Sequence, residues 1–149
     1  MNELEQLVPD IGERSLEARH GRPAFPDAFD EQLWGTLEET GLSRLTSTED
    51  AGPAEAATLL SGLARSAAAL PLAETDLLAM FLATKANLRV PDSGPLTVVL
   101  ADAELHDGNV SGTAHDVLWA DSAPVVVAAR TADGMYVDSL AWAGTGSTD

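Results

Sequence analysis

The chain has 149 residues, 45% of them hydrophobic, and a formal net charge of −16 from 8 Lys+Arg against 24 Asp+Glu. That composition and length suit one domain of ordinary size or two small ones, with a real core. Cysteine is absent, which removes a disulfide framework, a thiolate metal site and a cysteine nucleophile, and the scattered basic residues argue against nucleic acid or an anionic membrane surface as partner. No apolar run approaches the ~18 residues of a spanning helix. The start, MNELEQLVPD, has neither the basic lead nor the apolar stretch of a signal peptide. The chain therefore reads as soluble and cytoplasmic.

The first element expected is a helix from Asn2, with Leu4, Leu7, Val8 and Ile11 on one stripe and a bend or restart at Pro9. Gly21, Pro23 and Pro26 predict a loop, with Asp27 or Asp30 as N-cap of the next helix. That helix carries Phe29, Leu33, Trp34 and Leu37 and stops at Gly41, a residue suited to a left-handed C′ position. Thr46 to Gly52 is polar and predicts a loop, after which Pro53 fits a first helical turn. Leu59, Leu60, Leu63, Ala67 and Leu70 form the stripe of a central, alanine-rich helix that Pro71 ends. A fourth helix, about Ala73 to Ala86, is expected to bury Leu77, Leu78, Phe81 and Leu82.

The character changes at Pro91-Asp92-Ser93-Gly94-Pro95, a dense run of turn formers. Leu96 to Ala101 reads as a buried strand, Asp107-Gly108-Asn109 as a hairpin turn, and Val110 to Thr113 as the returning strand. Pro124 to Ala129 is a second buried strand, and Met135 to Leu140 pairs back on it across Asp133-Gly134. The expected class is α+β: a helical domain over 1–90, a small, incomplete antiparallel β domain over 95–142, and an unstructured tail over 143–149. So few short strands leave a sheet edge open or covered by a partner.

Local chemistry is sparse. His20, His106 and His115 have no i, i+4 partner for a helical metal pair, so no metal ligand is assigned. No serine lies in G-x-S-x-G, and no G-x-G-x-x-G follows a strand. The pairs Glu38-Glu39 and Glu49-Asp50 read as exposed helix ends and loops. An acidic protein can still take a small phosphorylated ligand, provided the site gathers its basic groups locally. No catalytic residue emerges from these patterns.

A wider pattern does emerge. Leu33-Trp34 lies in a helix that ends at Gly41-Leu42; Leu63-Ala64-Arg65 is followed by Leu70-Pro71-Leu72-Ala73-Glu74-Thr75; Asp107 to Ala114 forms a hairpin through Gly112-Thr113; and Ala123 with Val125 to Ala128, then Tyr136-Val137-Asp138, complete the order. Taken together, these segments resemble the N-terminal helical domain and part of the middle β domain of the acyl-CoA dehydrogenases. The resemblance covers most of the chain. It implies FAD-dependent α,β-dehydrogenation of an acyl-CoA thioester, a glutamate taking the α proton and the flavin the β hydride. In that family a C-terminal four-helix bundle carries the glutamate, and that bundle has no counterpart in these residues.

The middle domain departs from the family as well. Thr97-Val98-Val99-Leu100-Ala101-Asp102 stands where the family has a threonine-glutamate-x-x-x-glycine-serine segment, and Asp116-Val117-Leu118 stands where it has tryptophan-isoleucine-threonine against the flavin. Trp119 is shifted by comparison, and strand alternation would turn it to the other face. The resemblance thus implies a partial or partner subunit, with FAD shared with or held by another acyl-CoA dehydrogenase-type subunit, or self-association. Leu77, Leu78, Phe81 and Leu82 are the candidate acyl-pocket lining. The alternative is a non-catalytic interaction module, or truncated relic, without flavin.

Overall fold

A computed structural model of the chain describes residues 3–21 and 28–140. Helix α1 (Glu3–Arg19) continues through Pro9 without a restart; packing of Val8, Ile11 and Ser15 outweighs the one hydrogen bond that proline removes. Asn2, the expected start, lies outside the described residues, as do residues 22–27 of the expected loop, Asp27 among them. Helix α2 (Glu31–Glu39) is capped by Asp30, whose carboxylate accepts from the Leu33 N–H at 3.0 Å and from the Ser15 hydroxyl at 2.7 Å. It ends at Gly41 with φ +73°, the left-handed turn that glycine adopts without strain.

A 3₁₀ turn, Leu45–Ser47, precedes α3 (Pro53–Arg65). Pro53 opens α3, and the Glu55 carboxylate reaches back to the Gly52 N–H at 2.9 Å, which holds that carboxyl below its usual pKa. The helix stops at Arg65 and not at Pro71. Ala67 takes φ +48°, and the Leu63 carbonyl accepts from both Ser66 and Ala68, which closes the end as a Schellman motif. Helices α1 and α3 meet at glycine: a Cβ on Gly62 would overlap Val8, and one on Gly12 would overlap the Ser66 side chain. Around that contact Val8, Ile11, Trp34, Leu37, Leu59 and Leu63 form the first core.

The fourth helical segment begins as a π turn, Glu74–Ala79, and continues as α4 (Met80–Ala86) to a left-handed Asn87 with φ +51°. Its buried residues are Thr75, Asp76, Ala79 and Ala83. The connector that follows is tied to the helices, because the Gly94 N–H donates to Glu38 and the Gly94 carbonyl accepts from Arg44 at 3.2 Å.

Four strands follow: β1 (Thr97–His106), β2 (Asn109–Gly112), β3 (Val125–Thr131) and β4 (Gly134–Leu140), in spatial order β2-β1-β3-β4. Asp107 and Gly108, both at positive φ, make the tight β1–β2 turn. The sheet is mixed. β1 and β3 run parallel, Thr97 opposite Val125, while β2 and β4 pair antiparallel on either side. This corrects the expected all-antiparallel set: the chain from Gly112 to Pro124 crosses back and delivers β3 in the direction of β1. Leu96, Val126 and Ala79 form a second core, with Leu82, Leu88 and Val137 packed on it. The fold is α+β. The expected tail over 143–149 lies outside the described residues.

Candidate functional site

The segment from Glu74 to Ala86 reverses the burial expected of it. Leu77, Leu78 and Phe81 are 37%, 48% and 57% exposed, so nothing among the described residues encloses them. Of the four acyl candidates Leu82 alone turns inward, onto the second core. The cause is polar. The Thr75 hydroxyl donates to the Leu96 carbonyl at 2.8 Å and accepts from the Leu96 N–H at 2.9 Å. The Asp76 carboxylate accepts from the Thr46 N–H at 3.0 Å and from the Thr46 hydroxyl at 2.9 Å. Adjacent buried side chains thus grip the sheet and the 3₁₀ turn at once, within a π turn, a geometry frequent at functional sites. Burial pushes the Asp76 carboxyl above its ordinary value, against the lowering effect of the bonds from Thr46. With these anchors facing inward, the large apolar side chains are left outside, and Lys85 lies over the Phe81 ring at 5.6 Å.

On the sheet, Leu100 is 60% exposed and Met135 is 53% exposed. The pairings set Leu100 beside Ala128 and Val137, and Asp102 beside Arg130 and Met135. The face whose Val126 and Val137 support the second core therefore runs outward as a ledge that ends in the Asp102–Arg130 ion pair, 2.7 Å long. That pair holds the Asp102 carboxyl low and the Arg130 guanidinium high, through the hydrogen bond first and the charge second.

A separate cleft of about 560 Å³ lies between α1 and α2, lined among others by Arg14, Arg19, His20, Phe29, Leu33 and Thr36. The sequence offered no signal for it, since α1 and α2 each supply only part of the lining. Its cations are engaged: Arg14 pairs with Asp10, and Arg19 donates to the Ser66 carbonyl at 2.6 Å and lies 3.6 Å from Asp30. Among the described residues, no three His, Asp or Glu side chains converge as metal ligands. His106 stands beside Glu104 at 3.1 Å on the surface, and His115 lies in an exposed loop.

The residues of the β region do not fit a flavin. Thr97 is buried, its hydroxyl donating to the Leu118 carbonyl at 2.8 Å, and Val98 to Ala101 offer no polar side chain. Arg130 is the one Lys or Arg between residues 97 and 140, against seven Asp and Glu, and it is bound to Asp102. A dinucleotide pyrophosphate would meet net negative charge there. Trp119 is not on a strand at all, which corrects the expectation from alternation. It sits in a turn at φ +64°, its ring 6.4 Å edge-on from Phe29, which in turn lies 6.1 Å from Trp34. The Trp119 ring thus packs against Phe29, just ahead of α2. The Trp34 indole N–H is buried and has no hydrogen-bond partner among the described residues.

No protein-family model and no curated protein matches the chain. Solved structures do. The chain superposes with a TM-score of 0.67 on the ChsE4–ChsE5 complex from Mycobacterium tuberculosis, at 20% identity, over 95% of its own length and 48% of that chain. It superposes with a TM-score of 0.63 on a variant of the Tcur3481–Tcur3483 steroid acyl-CoA dehydrogenase, at 22% identity, over 93% of its own length and 46% of that chain. The chain spans about half the length of the structures it matches, and its fold is that of the corresponding half of an acyl-CoA dehydrogenase.

Proposed function

We propose that this chain serves as a partner half in an acyl-CoA dehydrogenase-type assembly acting in lipid or steroid catabolism. Its role is to shape an acyl-binding surface beside a second subunit that carries FAD and the proton-abstracting group. The observation that supports the reading most is the exposed stripe Leu77, Leu78 and Phe81, on a helix clamped rigidly between the sheet and the helical core. Three large apolar side chains held outward in a row suit a surface that something else covers. That the structures with this fold include a complex of two proteins agrees with such a complement.

In this reading the side chains of this chain orient and desolvate, and carry no proton. Leu77, Leu78 and Phe81, with Leu82 behind them, form one wall against the acyl chain of an acyl-CoA, and the complement forms the other. Thr75 and Asp76 fix the angle of that wall. The misfit of the β region to a flavin favours a second reading, a purely non-catalytic interaction module.

One assay separates the readings: thioester oxidation with an artificial electron acceptor, run on the purified chain, on a flavin-bearing acyl-CoA dehydrogenase-type subunit, and on the two co-expressed. The partner reading expects a colourless chain, silent alone, and turnover in the pair that falls at least about tenfold when Leu78→Asp and Phe81→Asp are introduced. Turnover by the chain alone would overturn it. A pair that associates while turnover ignores both substitutions would leave the interaction module.

A further inference from the structure

The β1–β2 hairpin is lopsided. β1 runs ten residues, Thr97–His106, but β2 pairs with the last four of them alone. Beyond Gly112 the chain leaves the ladder, and no backbone hydrogen bond joins residues 113–117 to Val98–Asp102. The two segments nevertheless stay in step. Carried back along β1, the register that sets Ala103 opposite Gly112 brings Thr97 opposite Leu118, and there the Thr97 hydroxyl does donate to the Leu118 carbonyl at 2.8 Å. The hairpin is closed at both ends and open between. Gly112 marks the fork, where a Cβ would stand 2.7 Å from the Asp102 carbonyl oxygen, and a hollow opens there among Asp102, Ala103, Glu104, Ser111, Gly112 and Thr113.

The sequence of the open segment is that of a strand with one fault. In this register Val110, Gly112, Ala114 and Leu118 fall on the face of Val99, Ala101, Ala103 and Leu105, the more buried face of β1. Asn109, Ser111, Thr113 and His115 fall on the other face. The exception is Asp116, which would stand opposite Val99 among apolar neighbours. Instead Asp116 takes a left-handed φ of +54° and lies exposed. A carboxylate placed inward opposes strand closure through its desolvation, and a left-handed backbone at a residue with a Cβ is where such a strand breaks.

We propose that residues 113–118 are a latent continuation of β2, a strap hinged at Gly112 and latched at Leu118, which Asp116 holds off the edge of β1. Open, it leaves the backbone groups of Val98 to Ala101 on that side free for solvent or for an extended segment of another chain. Closed, it seals the edge along the register already present, with no slip. The charge of one side chain therefore decides whether this edge is available. The inference stands on the hairpin register and does not depend on the proposed function.

Amide hydrogen exchange on the whole chain tests it, in the wild type and in Asp116→Val and Asp116→Asn. Asp116 is exposed, so both variants should fold, with a thermal midpoint no lower than that of the wild type and a strand signal in circular dichroism at least as strong. The expected result is fast exchange across residues 113–117 in the wild type, slowed by at least about tenfold in Asp116→Val and by less in Asp116→Asn. Because the chain has no cysteine, Leu100→Cys with His115→Cys gives a second measure: the cross-link should form in the wild-type background, and faster once Asp116 is valine. Exchange in the wild type as slow as in Ala103–His106, equal exchange in wild type and Asp116→Val, or a cysteine pair that never joins, each overturns the strap.

Discussion

The helices and the sheet of this chain are finished to different degrees. In the helical region the large apolar residues close on one another: Leu37, Leu59 and Val8 are at or below 1% exposure, and glycines let α1 and α3 touch. From residue 77 onward the pattern inverts. Nine of the eleven large hydrophobics left exposed in the described residues lie between Leu77 and Leu140. The sheet has one face on a small core, a half-zipped hairpin on one flank and β4 as its other edge. A closed core specifies stability, whereas an open apolar surface held on a rigid frame specifies a contact still to be made.

Substitutions can break that contrast, and the largest effect is expected inside the helices. Leu37→Ala should cost about 3 kcal/mol and lower the thermal midpoint by roughly 6–12 °C, because a fully buried leucine leaves a cavity. A loss as small as that of a surface change would show the helical core to be loosely packed. Thr75→Val keeps the shape but strands the buried N–H and carbonyl of Leu96; urea denaturation should register about 2–3 kcal/mol.

Asp76 gives a smaller effect, read as a slope. Its folded pKa is raised by burial, so the folded state holds this proton more tightly than the unfolded chain. The penalty is absent below the ordinary carboxylate value and complete above the raised one. Stability relative to Asp76→Asn should therefore fall as pH rises through and beyond the ordinary carboxylate range, and a flat difference would mean that the bonds from Thr46 offset the burial. At the bottom of the scale, Leu78→Ser should move stability by less than about 0.5 kcal/mol, and Arg130→Ala, which opens a fully exposed ion pair, should leave the midpoint in place. A large loss at Leu78 would mean that the stripe belongs to the core and to no partner.

The first half of the chain was legible in its sequence where local chemistry dominates. Gly41, Pro53 and the Leu33–Leu37 stripe announce their roles because caps and periodicity act over one or two turns, whereas the cap of α2 stayed open between Asp27 and Asp30. Asp107-Gly108 and the valines of β3 did the same for the sheet. The misreadings arose where a distant group decides. The end of α3 at Ala67 carries no glycine, so nothing nearby marks it. The parallel β1–β3 pair follows from a crossover of irregular chain, which has no period to read. The stripe at Leu77, Leu78 and Phe81 has helical spacing, which says that the residues share a face but not which way it turns. Thr75 and Asp76 decide that, through Leu96, 21 residues on, and Thr46, 30 residues back. The stripe was therefore expected to be buried and is exposed, and the Asp116 fault became visible only once the register of β1 was known.

Thr75 has a consequence for the history of the molecule as well as its shape. By donating to and accepting from Leu96, one side chain does for the head of the sheet what a neighbouring strand would do. Residues 95–140 excised from the rest would begin with a backbone unit whose native partner is missing. The sheet should thus assemble late, after the helix that templates its first residue, and a ribosome releasing this chain would present the template before the strand that needs it.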